Sequence, residues 1–299
     1  MKSSVQAKRD TLNGLLFASP WILGFLTFVL YPLVASLYYS FCSYDAISPP
    51  HFIGLENYRI MLTQDPLFWR SLWNTLYMAI FGLPVSLAAA LGIALLLNQR
   101  IRGISIYRTI YFLPSITPVV ASSVLWMWLL NPQVGLINTS LHRLGISSPP
   151  AWLSDPNWAK PALILMGLWA VGGGMVIYLA SLQDVPASLL EAASLDGAGR
   201  WAKFRHVTVP SISPVILFNL IMGLIGTFQY FTQAYVMTNG GPQDATMFYA
   251  LHLFNRAFQD FEMGYASAMA WVLFVITLIC AIVVFRTSAR WVYYAGESS

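Results

Sequence analysis

The chain has 299 residues, 57% of them hydrophobic and only 9% charged, with a formal net charge of +4. Soluble domains carry roughly a quarter charged residues, so the composition excludes an ordinary water-soluble fold and points to a lipid solvent. The basic excess is small and needs no nucleic-acid partner to explain it.

Six apolar runs, 15–37, 75–97, 106–130, 162–182, 215–237 and 264–285, approach or exceed the roughly 20 residues that cross a bilayer. Arg108, in the first turn of the third run, is the one Asp, Glu, Lys or Arg inside them. A helix satisfies its own backbone groups in lipid, so the expected fold is all-α and integral to a membrane, with six transmembrane helices. One membrane domain over 15–285 then stands between short polar ends, 1–14 and 286–299. The first run is too long for a secretion signal, contains Pro20 and Pro32, and lacks a small-residue cleavage site. It reads as a retained span. Cys42 and Cys280 stand alone, which suggests neither a disulfide framework nor a metal site.

Orientation follows from the basic residues. With the N-terminus inside, eleven of the 16 Lys and Arg fall on inner segments and five on outer ones. That bias places both ends in the cytoplasm.

The outer loop 43–71 holds "FIGLENYRIML", expected as a short helix at the membrane surface. The third run opens "YFLPSITPVV", where Pro114 suits a helix start and Pro118 implies a kink. After the fifth run, "TNGGPQDATMFYALHLFNRAFQDFE" begins with a Gly-Gly-Pro turn and continues as an amphipathic helix. Phe248, Leu251, Phe254, Phe258 and Phe261 share one face of it, expected to rest on lipid headgroups or a partner protein. His51, His142, His206 and His252 lie outside the spans or at their ends, and none is assigned a proton-relay role.

Between the fourth and fifth runs, on the inner side, lies "SLQDVPASLLEAASLDGAGRWAKFRHVTVPSISP". Helix formers over 188–195 follow Pro186, which suits a first helical turn. Gly197 and Gly199 then end the helix, with Gly197 expected at a positive φ. A second short helix over 201–207 is expected to stop before Pro210. Leu189, Leu190, Ala193 and Leu195 put apolar surface on this segment without a span to justify it. From composition alone, an amphipathic loop lying on the inner leaflet explains it as well as a docking element does.

A resemblance separates the two. Glu191-Ala192-Ala193, then Gly197, then Val207-x-Val209-Pro210 resembles the EAA signature of permease subunits in binding-protein-dependent ABC importers. The family pattern is Glu-Ala-Ala, three residues, Gly, nine residues, then Ile-x-Leu-Pro; here Val207 replaces Ile and Val209 replaces Leu. "YPLVASLYYSF", "FIGLENY", "YRTIYFLPSITPVVASSVLWMWLLNP", "TNGGP" and "GYASAMAW" are similar to the carbohydrate-uptake branch of that family, the maltose-permease-like subunits for sugars and glycerol phosphates.

The resemblance implies a type I importer fold, a second, related permease chain beside this one, two ABC ATPase subunits below, and an extracytoplasmic solute-binding protein above. It makes 186–210 the ATPase-coupling segment. There Leu189, Leu190 and Ala193 supply apolar contact and Glu191 pairs with a basic group on the ATPase. No Gly-Lys pair occurs in the chain, so there is no phosphate loop; ATP and Mg belong to the partner subunits, and this chain carries no cofactor, metal or catalytic residue of its own.

A sugar path needs polar groups and aromatic faces along one side of a helix. At about 100° per residue, Asn219, Gly223, Gly226, Gln229, Tyr230 and Gln233 fall within an arc of about 120° on the fifth run. Packing between helices accounts for Gly223 and Gly226; Asn219, Gln229, Tyr230 and Gln233 are the candidate path residues. Asn74 and Tyr77, at the outer start of the second run, and Trp169, beside the glycines 172–174, complete the set. Asn74 has an alternative role as a helix cap, and Trp169 as a packing residue. The rival functions are a stand-alone secondary transporter, which usually carries ionisable groups in its spans, and a membrane scaffold or assembly protein.

Overall fold

In a computed structural model, residues 4–99 and 102–293 are described; among the basic residues counted for orientation, Lys2 and Arg100 lie outside them. Among the described residues, four continuous helices are long and apolar enough to cross a membrane, and two bent pairs bring the number to as many as six if each is one span. In chain order the helices are α1 (Leu12–Tyr39 within the apolar part), α2 (Glu56–Thr63), α3 (Pro66–Leu97), the pair α4 (Ile104–Ile116) and α5 (Val119–Leu129), and α6 (Leu136–Arg143). The pair α7 (Pro156–Trp169) and α8 (Gly172–Gln183) follows, then α9 (Ala187–Leu195), α10 (Arg200–Phe228), α11 (Thr232–Met237), α12 (Tyr249–Phe258) and α13 (Met263–Ser288).

Among the described residues, three helices absorb a proline by the same device. A π turn over Leu26–Leu30, Met78–Gly82 or Phe204–Thr208 directly precedes Pro32, Pro84 or Pro210 with one residue between. Proline has no N–H, and its ring collides with the carbonyl four residues back. The wider turn lets the preceding residue bond five back instead, as from Tyr31 N to Leu26 O and from Val209 N to Phe204 O. This corrects the expectation that the second half of the inner segment stops before Pro210. It runs on as α10, so the fifth span begins at Arg200.

Elsewhere the spans are less regular than the apolar runs. The third bends by 100° between α4 and α5 at the expected Pro118, which takes an extended ψ of 131°; Pro114 stands in the first turn of the short 3-10 segment Leu113–Ile116 that ends α4. The fourth bends by 49° at 170–171. The fifth ends at Phe228, and α11 is a separate short helix after the break at 229–231.

Contacts divide the chain into two units. In the first, the part up to Gln64 with Leu253–Val272, a two-stranded antiparallel ribbon pairs Cys42 with Phe52 and Ser43 with His51. Asn57, at the start of α2, donates to the carbonyls of Ser40 and Cys42 at 2.9 Å and so fixes the loop to the helix end. Gly264 approaches that ribbon so closely that a Cβ would collide with the Cys42 carbonyl oxygen.

The second unit, Asp65–His252 with the chain from Leu273 onward, holds the larger core. On α3 and α8, Ala90, Ala94 and Leu97 interlock with Met175, Tyr178, Leu179 and Leu182. Small residues allow this close approach of backbones in lipid; a Cβ on Gly174 would sit 3.5 Å from that of Ala90. A second cluster joins Met78, Trp126, Leu163, Met166, Ala234, Met237, Phe248 and Leu251. Phe248 and Leu251 are fully buried there, not spread on lipid; Phe258 and Phe261 remain exposed, and Phe261 lies beyond the helix at φ +59°. The amphipathic face of α12 therefore serves the protein's own core at its start.

Candidate functional site

Two constellations from the sequence are assembled in the structure. The first is the inner segment. Pro186 caps α9 with an extended ψ of 125°, and the helix ends in a Schellman turn: Gly197 N donates to Ser194 O (3.1 Å) and Ala198 N to Ala193 O (2.9 Å). Gly197 takes φ +77°, as the turn requires. Lys203 Nζ donates to Ser194 Oγ at 2.6 Å and ties the start of α10 back to α9. Leu189, Leu195 and Trp201 are exposed, Leu195 by 89%. Glu191 and Ala192 are exposed too, Leu190 and Ala193 half-buried, and Val207, Val209 and Pro210 half-buried in the first turns of α10. The segment is a helical hairpin, tied by its turn bonds and Lys203, that leaves apolar and acidic side chains exposed.

The second is a cavity of about 190 Å³ where three helix breaks converge. Pro114, Ser115 and Thr117 come from the bend before α5, Met166, Gly167, Trp169 and Ala170 from the bend after α7, and Tyr230 and Gln233 from the break between α10 and α11; Val119 and Ser122 close it from α5. A broken helix in lipid is tolerated where its backbone lines a cavity, and such breaks are where transport proteins hold solutes near mid-membrane. Ser115 and Ser122 donate their hydroxyls to the carbonyls of Phe112 and Pro118 (2.7 and 3.2 Å). Their oxygens keep acceptor capacity for a guest. Trp169 stands edge-on to Trp126 at 6.3 Å, and Tyr230 edge-on to Phe248 at 5.2 Å.

Trp169, Tyr230 and Gln233 are thus brought together, although the single helical stripe that suggested two of them does not exist. The helix ends at Phe228, so Gln229 is its exposed cap residue and does not line the cavity, and Gln233 belongs to α11. Asn219 is buried and donates to Val215 O of its own helix at 3.0 Å. Asn74 neither caps a helix nor lines the cavity; Asp65 caps α3, accepting from Leu67 N and Phe68 N. The Asn74 amide instead holds the carbonyls of Asp244 and Met247 (2.8 and 3.0 Å) and accepts from Lys160 Nζ at 2.9 Å. Lys160 also lies over the ring of Tyr77, 4.9 Å from its centroid. Gly172 supplies close approach: a Cβ there would collide with the Tyr111 carbonyl. His252 joins Asp65 at 2.8 Å in a buried pair. Sequence reasoning missed the three hydroxyl-bearing residues of the cavity; its available signal was the double proline of "YFLPSITPVV", which marks a break where backbone needs polar company.

The family described as binding-protein-dependent transport system inner membrane component matches residues 82–297. The chain belongs to this family. Among its relatives, a probable ABC transporter permease protein of Bacillus subtilis (strain 168), YesP, is 44% identical over 99% of this chain and 97% of its own. A lactose transport system permease protein, LacF, of Rhizobium radiobacter is 36% identical over 95% of each chain. The sulfoquinovosyl glycerol transport system permease protein SmoG of Agrobacterium fabrum is 34% identical over 93% of this chain and 90% of its own. A chain of a bacterial alginate ABC transporter, solved in complex with an alginate pentasaccharide-bound periplasmic protein, shares the fold with a TM-score of 0.82 at 22% identity, over 97% of this permease and 98% of that chain. The permease therefore has the type I importer fold and works as an inner-membrane component served by a binding protein, which sets aside the stand-alone transporter and the scaffold.

Proposed function

We propose that this permease forms half of the path by which a sugar or sugar-like solute crosses the membrane, driven by ATP hydrolysis on partner subunits. The observation that carries the reading is the cavity: one indole, one phenol, one carboxamide and three hydroxyl-bearing residues around about 190 Å³, with no Asp, Glu, Lys or Arg among the lining residues. Hydroxyl-rich neutral solutes are held by neutral hydrogen bonds and aromatic faces; the volume fits about one sugar ring at a time. Relatives named for lactose and for sulfoquinovosyl glycerol support the same class.

In this account the external binding protein releases solute to the outer side, and a second, related permease chain completes the path. The hairpin from α9 to the start of α10 faces the cytoplasm, as the basic bias indicates, and seats on one of two ABC ATPases, where Mg and ATP act. Closure of the ATPases moves the hairpin, and α10 carries that motion directly to the break at Tyr230, since the helix is continuous from Arg200 to Phe228. The test is uptake of labelled monosaccharides, oligosaccharides, glycerol-linked sugars and glycerol phosphates by proteoliposomes holding the full complex with its binding protein. Accumulation of a carbohydrate, lost on Tyr230→Ala, is expected. Accumulation of an amino acid or inorganic ion, with no carbohydrate accepted, would overturn the substrate class.

A further inference from the structure

The outer loop after α11 is pinned to α3 at three backbone points that bracket one aromatic residue. Asn74 Nδ2 donates to the carbonyls of Asp244 (2.8 Å) and Met247 (3.0 Å), and Thr75 Oγ1 accepts from Tyr249 N (2.9 Å). Phe248, between the last two, is fully buried and sets its edge against the ring of Tyr230. Asn74 and Thr75 are themselves 2% and 1% exposed. The pinned chain is far from relaxed: Asn239, Gln243 and Asp244 are non-glycine residues at φ +46°, +49° and +57°. Such conformations persist only where surrounding contacts over-determine them. Lys160, which donates to Asn74 Oδ1, orients the amide so that both of its N–H groups meet carbonyls.

We infer that Asn74, Thr75 and Lys160 are positioning residues for solute handling: they fix Phe248 and, through it, the angle of the Tyr230 ring on the cavity wall. The inference rests on the reading of Tyr230 as a wall of the solute path. An edge-to-face pair has a preferred geometry, so a loop freed from α3 lets Phe248 slide and the phenol tilt with it. The loop thereby links the outer surface to the cavity.

Thr75→Val removes the acceptor at nearly constant volume, whereas Thr75→Ser keeps it. In the reconstituted complex with its binding protein, we expect Thr75→Val to lower the solute-stimulated transport rate by roughly three- to tenfold, the scale of one lost hydrogen bond. Thr75→Ser should restore it. Phe248→Leu, which needs no new pairing in the buried loop, should reproduce the defect and carries the test if Thr75→Val fails to assemble. The deciding measurement is the double variant with Tyr230→Ala: combined with Thr75→Val or Phe248→Leu it should be no worse than Tyr230→Ala alone, because residues acting through one another are not additive. Additive losses from a damaging Tyr230→Ala would overturn the positioning role and leave the path intact. A silent Tyr230→Ala would instead overturn the path itself.

Discussion

Replacing Gly197 tests the coupling hairpin with little else disturbed. A Cβ at this position meets nothing within 4 Å, so the only penalty is conformational. The residue sits at φ +77°, where an L side chain costs roughly 1–2 kcal/mol and a β-branched one is a genuine outlier. The Schellman bonds from Gly197 N and Ala198 N exist only in that conformation. At about 1.4 kcal/mol per factor of ten, Gly197→Val should deplete the docking-competent hairpin by roughly five- to thirtyfold. Asparagine tolerates the left-handed region, so Gly197→Asn should lose far less. The assay is copurification of the ATPase with the permease, together with solute-stimulated ATP hydrolysis at matched permease content. Normal stimulation in Gly197→Val, or equal damage from Gly197→Asn, would refute the claim that this turn shapes the coupling element.

Within the cavity, Gln233→Ala should weaken transport by several-fold to tenfold, the loss of one neutral hydrogen bond at about 0.5–1.5 kcal/mol, and Tyr230→Ala by more. Thr232, whose side chain does not line the cavity, should tolerate Ala; equal damage from Thr232→Ala would move the path elsewhere. Reporter fusions at Gly103 and Arg200 should read cytoplasmic, and fusions at Ser148 and Asp244 external; an external signal at Arg200 would leave the hairpin on the wrong side for an ATPase. Gly264→Ala drives a methyl into the Cys42 carbonyl and should lower the thermal midpoint of the detergent-solubilised protein by the equivalent of about 1–3 kcal/mol. Gly173→Ala, where a Cβ meets nothing, should change it little.

The inner hairpin was legible because its signals are local. Pro186 before α9 and Gly197 after it each act within a few residues, and the structure reproduces the helix start and the positive φ, whereas Pro210 does not end the second helix. The ends of the spans were less legible. An apolar run records solvent, not helix continuity, so 215–237 hid the break at 229–231, whereas Pro118 marked the bend inside 106–130. Proline was ambiguous for a physical reason: at Pro118 it breaks the helix, whereas at Pro32, Pro84 and Pro210 a π turn absorbs it. Asn74 was misplaced because its partners, Asp244, Met247 and Lys160, lie far away in sequence. Trp169 and Tyr230 were singled out as aromatic groups, with packing kept as the other reading of Trp169, and the fold brings both to one cavity.

The source of the driving force separates an ATP-driven importer from its rivals most directly. Proteoliposomes should hold the permease, its partner chain and the two ATPases, with ATP and Mg supplied on the side of the Arg200 hairpin and the sugar-loaded binding protein on the other. Carbohydrate should accumulate inside only when both are present, and a proton or sodium gradient should neither replace ATP nor change the rate. Uptake by this chain alone, driven by an ion gradient and indifferent to the binding protein, would contradict the account.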